Sequence, residues 1–363
     1  MFHLSPIVVF PHSNLLLHDA GLEEMIKRGK IKIVPKPGDV QRQPASLDIR
    51  IGMTRVYDAE AQAQTARHWN KHHLAKPSVH FAKIFPDEKD IPIDIPPKSF
   101  TELFFHEQPY FESSRFDLGV DLRSSRGRLG LSLASQETEK GNRQYVSFWN
   151  MNPNTIRLYG QDPFTQLFFY PKRGYANGHI VQDPDEAKEL VQGIADAQMY
   201  GAYIMFFVGD HVRKFREDIG IIDTREKYAD EVLYRQFSAE EGCPVFAEDA
   251  VIMQLHPRVK LPPNLGIRIL HCLPYAQISG LTKPSPEYFF LESHVANAGW
   301  VDPGYEGFVT AHPIRRKFPA VYTKGDFIAL GALYHYDTPV KRPYGSSTLN
   351  SHYQKSDGVG ARS

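Results

Sequence analysis

Arg123-Ser124-Ser125-Arg126-Gly127-Arg128-Leu129-Gly130-Leu131 gathers three guanidiniums, two hydroxyls and two glycines into nine positions, with the apolar residues arriving only as the polar cluster ends. It lies between two short apolar alternations, Leu118–Leu122 and Leu129–Leu133, and so reads as a turn joining two strands. Arginine offers a planar, permanently charged fork, and glycine lets backbone N–H groups approach a ligand closely, so such a turn is suited to phosphate oxygens. The plainer alternative is a solvated basic turn beside a strand.

Working outward, strand signals dominate. Tyr145–Asn150, Ile156–Tyr159 and Phe164–Tyr170 follow the turn, and upstream Gln43–Gly52 alternates, with Leu47, Ile49 and Ile51 on one side and Asp48 and Arg50 on a charged face. Asp19–Arg28 starts with a capping residue and ends in bases, which predicts a short helix stopped at Gly29. Residues 58–75 read as a helix or a loose insertion. Its His68 and His72 have metal-ligand spacing, but no third ligand is placed beside them. The run Pro86–Pro97 reads as a loop.

The clearest helix prediction is Asp183–Met199, with Pro184 in its first turn and Ala187, Leu190, Val191 and Ile194 on one face. Beyond it strands return at Tyr203–Val208, Ala250–Leu255, Gly266–Leu270, Gly307–Ala311 and Phe327–Leu333, after a polar segment ending at Gly242. The tail from Val340 carries little apolar content and is expected to be mobile until something orders it. Gly160–Phe169 and Lys324–Leu333 echo each other, each a turn with Asp leading into an apolar strand. The expectation is a mainly β chain with a duplicated domain: 1–175, a connector helix region 176–202, and 203–363 with the tail.

Composition narrows the partners. Lys plus Arg and Asp plus Glu are both 42, so no global basic field exists to favour nucleic acid, and any anion site must be local. Two cysteines, Cys243 and Cys272, without C-x-x-C spacing fit a reducing compartment and argue against zinc. The apolar start Leu4–Leu17 is broken by Pro6, Pro11, His12 and Asn14 and is too short to span a bilayer. A cytoplasmic protein without membrane partners is expected. The 27 prolines and 26 glycines favour short strands and turns.

Four segments in order resemble the dCTP deaminase and dUTPase superfamily, in particular the long dCTP deaminase with two tandem domains. Gln43–Gly52 is similar to its early strand motif, and Arg123–Leu131 to its Arg-Ser-Ser-x-x-Arg-Leu-Gly-Leu phosphate motif. Gly299–Thr310 is similar to its Asp-Pro-Gly hairpin, and Lys341–Gly345 with Ser351–Gln354 and Gly358 to its closing tail. The resemblance implies tandem dUTPase-like distorted β-barrel, jelly-roll-like domains with a few short helices, assembled as a homotrimer with sites at subunit interfaces. It implies a deoxynucleoside triphosphate as ligand, with Mg²⁺ held by the phosphates and no protein metal ligands. Ser124 and Arg128 would work at the site, Asp302 would lie near sugar and base, and Tyr344 would fold over the nucleotide. Arg123, Ser125, Tyr305, His352 and Tyr353 complete the expected nucleotide contacts.

Departures from the pattern shape the chemistry. The family's catalytic Glu would fall near Thr310-Ala311-His312 in the second half and at Ser147 in the first, and neither half shows it. Gln136–Gln144 replaces the first half's Asp-Pro-Gly hairpin, and Cys272–Gln277 stands where the second half's Arg/Ser motif would be. His352 and Ser356 stand where Lys and Gln are usual, weakening the tail's charge. The zinc deaminase signature, His-x-Glu with Pro-Cys-x-x-Cys, is absent from the sequence, so activation of water would be metal-free at the base. A complete site therefore needs the Arg/Ser turn of one half to meet the hairpin of the other. Three readings stand: dCTP deamination to dUTP with His312 or Asp302 moving the proton; dUTP hydrolysis to dUMP through Asp302; and a catalytically inactive nucleotide-binding, regulatory or assembly protein.

Overall fold

Alternation decides the first sheet. In the strand Leu47–Tyr57, Leu47, Ile49 and Ile51 are wholly buried, as their shared face predicts. The computed structural model describes residues 15–57, 83–139, 143–246, 249–271, 294–295, 299–315, 320–347, 349 and 355. Leu47–Tyr57 sits inside a seven-stranded antiparallel sheet ordered Phe116–Leu122, Pro163–Pro171, Leu47–Tyr57, Phe100–Phe105, Arg143–Asn150, Leu131–Glu139, with Lys83–Phe85 added to its outer end.

The second half builds a larger sheet of eleven strands. Its spine runs Leu15–Leu16, Gly178–Ile180, Phe327–Tyr336, Tyr203–Phe215, Val251–Lys260, Glu306–Arg315, His294–Val295. Leu265–His271 pairs with Phe327–Tyr336 and carries the short Trp300–Val301 strand. The architecture is mainly β, nearly closed and barrel-like, with four short helices among the described residues.

Each sheet encloses its own apolar cluster, and a third cluster joins them: Phe168 and Tyr170 from the first half meet Leu330, Tyr334 and Tyr336 from the second. Burying each such ring contributes about 1.5–3 kcal/mol. The halves also exchange segments. Leu15–Leu16 belongs to the second sheet through Gly178–Ile180. Phe215, Leu233, Tyr234 and Ile252, from the second half, pack into the first cluster, and Ile221–Asp223 pairs in parallel with Thr155–Tyr159.

Six sequence expectations change. The helix is Pro184–Leu190 rather than Asp183–Met199, because Gln192-Gly193 breaks it and lets Val191 and Ile194 turn into the second core. At the first helix the cap is His18, not Asp19. The face expected to be charged is covered at Asp48, which is buried and accepts from Gln43 and Gln166. The proline-rich run contains a strand, Pro92–Ile95, paired with Thr155–Tyr159, and the polar segment before Gly242 contains another, Tyr234–Ser238, paired with Tyr203–Phe215. The base of the tail is docked, because Val340 is buried and two buried or half-buried acids receive Lys341 and Arg342. The 58–75 segment with its histidines, and Cys272–Gln277, lie outside the described residues.

Candidate active site

The Arg/Ser stretch folds as one helical turn, Ser124–Gly127, closed by the Arg128 N–H donating to Ser124 O at 3.0 Å. Gly130 follows at φ +90°, and a Cβ there would come 3.1 Å from both Asn152 and the Phe215 ring, so the chain reverses here only with glycine. A buried polar ladder supports the turn from behind. Asn152 Nδ2 donates to Leu129 O (2.9 Å), Asn150 Oδ1 accepts from the Asn152 N–H (2.9 Å), and the Tyr234 hydroxyl donates to Arg128 O (2.8 Å). Arg126 spends its Nε and Nη2 on Pro163 O, both at 3.2 Å. Arg128 is buried, while Arg123, Ser124 and Ser125 stay half-exposed.

Arg123 connects the turn to the neighbouring sheet, its Nε lying 3.4 Å from Asp48 Oδ2. Gln43 Nε2 and Gln166 Nε2 also donate to the Asp48 carboxyl, at 3.1 and 3.3 Å. Burial pushes the Asp48 pKa up, against the pull of Arg123 and the two amides.

The second half supplies the hairpin. Asp302-Pro303-Gly304-Tyr305 closes with the Tyr305 N–H donating to Asp302 O (3.1 Å), Pro303 at the second position and Gly304 at φ +87°, the chemistry of a type II turn. Asp302 keeps some exposed surface, yet its Oδ1 is shielded from solvent without a hydrogen-bond partner. The Trp300 indole lies toward this carboxyl without closing a hydrogen bond of ordinary geometry. Burial, and next the neighbouring Asp48 carboxyl, push the Asp302 pKa up to about 7.

Those couplings bring the hairpin within electrostatic range of the first half in one chain: Asp302 feels Asp48, and Tyr305 feels Arg128. Burial pushes the Tyr305 pKa up to about 12 against the field of Arg128 and Arg258. The Tyr305 hydroxyl donates to Phe308 O at 2.7 Å.

The tail crosses this hairpin. Tyr344 donates its N–H to Pro303 O at 2.8 Å, and its ring packs on Tyr305 at 5.5 Å between centroids. A Cβ on Gly304 would meet Pro343 at 2.8 Å, so the tail lies directly on the turn. The anchor is Asp19, whose carboxylate accepts from the N–H groups of Lys341 (3.2 Å) and Arg342 (3.1 Å), while Lys341 Nζ reaches Glu23 at 2.6 Å. Burial raises the Asp19 pKa, but hydrogen bonds from His18, Lys341 and Ala20 outweigh it and hold the carboxyl below its ordinary value.

The expected residues therefore separate into groups. Arg123, Ser124, Ser125, Arg128, Asp302, Tyr305 and Tyr344 belong to one neighbourhood linked by these contacts and fields. His312 lies in the strand Glu306–Arg315, but its side chain is outside the described residues, as are His352 and Tyr353. Ser147 is buried opposite Glu102, its Oγ without a hydrogen-bond partner. Sequence reading missed Asp48 as a member of this neighbourhood, and Gln166, Asn152 and Tyr234 as its supports. The only signal for Asp48 was its place in the early strand motif.

Known proteins give a consistent picture. No family model matches the chain. Over 137 residues, 36% of its length, it is 28% identical to a "dCTP deaminase, dUMP-forming" of a Sulfurihydrogenibium species, covering 69% of that protein. Over 135 residues, 37% of its length, it is 27% identical to the protein of the same description from Persephonella marina, covering 68% of it. Its fold is similar to the crystal structure of 2'-deoxycytidine 5'-triphosphate deaminase from Agrobacterium tumefaciens, with a TM-score of 0.64 at 14% identity, over 91% of this chain and all of that one. Among the described residues no helix is long and apolar enough to cross a membrane. The sequence matches and the fold together make this chain similar to the dCTP deaminases.

Proposed function

We propose that the chain is a dCTP deaminase-like hydrolase whose single hybrid site combines the Arg/Ser turn of the first half with the aspartate hairpin of the second. The observation that carries this reading is that the Asp48 carboxyl acts electrostatically on Asp302, and the Arg128 guanidinium on Tyr305, within one chain. The turn presents cations and hydroxyls, a donor set that fits phosphate oxygens rather than a bare metal ion, so Mg²⁺ would arrive on the triphosphate and neutralise part of its charge.

In this reading Arg123 and Arg128 hold the triphosphate, Ser124 and Ser125 donate to it, and Tyr305 and Tyr344 shield the sugar and base. Deamination adds water to C4 and expels ammonia. A carboxylate takes the water's proton and returns it to the leaving nitrogen. Asp302 is suited to both halves of that transfer, because a pKa of about 7 leaves it able to hold or release a proton near neutrality. Asp48, favoured as the ionised partner by Arg123, Gln166 and Gln43, keeps it there. Asp302 takes the part of the Glu that neither half carries, with His312 the rival carrier.

Two product routes remain distinct: release of dUTP, or release of dUMP and pyrophosphate, which the names of the Sulfurihydrogenibium and Persephonella proteins favour. Incubation with dCTP and Mg²⁺, following ammonia, pyrophosphate and the nucleotide product, tests the proposal. Ammonia with dUTP supports the first route, and ammonia with dUMP and pyrophosphate the second. Pyrophosphate from dUTP without ammonia from dCTP indicates a pyrophosphatase. Binding without turnover indicates a regulatory protein, and neither binding nor turnover overturns the site. Homotrimer formation is part of the proposal, read by light scattering.

A further inference from the structure

A second group of ligand-type side chains sits where Gly178–Ile180 lies on Phe327–Tyr336. His179 and His335 are directly opposed in this antiparallel pair, with ring centroids 5.6 Å apart. Gly178 permits the approach, because a Cβ there would fall 2.3 Å from the Tyr336 ring. Beside them the first turn of the Pro184–Leu190 helix, capped by Asp183, presents Glu186. Glu186 Oε1 stands 3.1 Å from His335 Nδ1 and 3.4 Å from His179 Nε2, and the three ligand atoms all lie within 4.8 Å of one another.

A tetrahedral ion with bonds of about 2.0–2.2 Å spaces its ligand atoms roughly 3.3–3.5 Å apart. Both separations to Glu186 are already close to that value, and a small imidazole rotation closes the third edge. The outer partner is also present: His335 Nε2 lies 3.3 Å from the Asn264 side-chain amide. The two ends of an Asn amide are exchangeable by rotation, so Asn264 can offer Oδ1 to the Nε2–H that a metal-bound Nδ1 carries. All three side chains are partly exposed, so an ion can reach them from solvent.

We propose that His179, Glu186 and His335 form a binding site for a divalent transition ion of the zinc type, its fourth position open to water. Two imidazoles and one carboxylate select nitrogen-preferring ions over Mg²⁺ or Ca²⁺, which take oxygen shells. The ligands come from the strand and helix that join the two halves and from a strand of the second sheet, so the ion fastens the connector to that sheet. Its role is structural and independent of the deamination reading.

Full-length protein stripped with chelator and titrated with Zn²⁺ by calorimetry, and with Co²⁺ by visible absorption, tests the site. One equivalent per chain is expected, with the intense bands of tetrahedral cobalt and a rise in Tm that chelator reverses. His179→Gln, His335→Gln and Glu186→Gln each weaken that equivalent by about tenfold or more and remove the thermal shift. The metal-free Tm of each variant reports whether it folds, and Glu186→Gln, an isostere on a short exposed helix, keeps the test valid if a histidine variant does not. The chain has sixteen histidines, so His72→Gln serves as the control and retains full binding. Absence of stoichiometric binding in the wild type, or unchanged binding in the Glu186 and folded histidine variants, overturns the proposal.

Discussion

The turn at 123–128 and the hairpin at 302–305 hold charge in opposite ways. In the turn, cations are matched before any ligand arrives: Arg123 faces Asp48, and Arg126 is bound to Pro163 O. In the hairpin, an acid stands shielded beside another acid, with one oxygen unmatched. A group compensated in advance can position a ligand rigidly, whereas a group held away from its preferred charge state is ready to exchange a proton. Under the proposed function, two incomplete halves divide the labour of one site, the first contributing charge and the second reactivity.

The harshest test of that division is Arg128→Ala. It should lower triphosphate affinity by about 30-fold or more, since losing one member of a buried charge pair costs on the order of 2–5 kcal/mol. Calorimetry on the folded variant checks this, and Arg128→Lys should not restore full affinity, because a point charge lacks the planar fork.

Asp302→Asn should leave affinity within a few-fold while reducing turnover by about 10²–10⁴. The Asp302 pKa is raised in the folded chain to about 7, so the folded state holds a proton that the unfolded state has lost. Wild-type stability is therefore eroded as pH rises from about 4 to about 7, while the fraction of Asp302 able to accept a proton grows. Rate and Tm of the wild type should move in opposite directions through neutrality. The variant should gain about 2 °C over wild type at pH 8, a margin that closes toward pH 4. Equal turnover in Asp302→Asn, with loss in His312→Ala, would transfer the proton work to His312.

Asp19→Ala removes the acceptor for two tail N–H groups and should cost about 1–3 kcal/mol, read as a lower denaturant midpoint. The Asp19 pKa is lowered on folding, so its stabilisation is complete above the ordinary carboxylate range and disappears as pH falls through the folded value. Smallest is Tyr344→Ala, which removes one ring pair and should raise KM about three- to tenfold with kcat nearly unchanged.

Much of this was legible in the sequence, for identifiable reasons. Alternation at Leu47, Ile49 and Ile51 specified a strand, Pro303-Gly304 specified a turn, and the polar-then-apolar order of 123–131 specified a loop entering a strand. Alternation assigns residues to sides but does not say what covers each side, so the charged face of this strand gave no sign that Asp48 is buried and held by Arg123, Gln43 and Gln166. The docking of Lys341 and Arg342 on Asp19, and of His335 beside His179, joins residues far apart in the chain, and local pattern carries no information on such pairings. The Asp183–Met199 helix was overextended because its apolar spacing continues past Leu190, while the second core draws Val191 and Ile194 inward in another conformation.

The bond between Asp19 and the tail ties the earliest described helix to residues more than three hundred positions later. On a ribosome the first half emerges with that carboxylate lacking two of its donors, and it waits while more than three hundred further residues are translated. Closure of this contact thus waits for Lys341 and Arg342 to be made, and a transcript cut short before Lys341 yields a product in which Asp19 has no clasp.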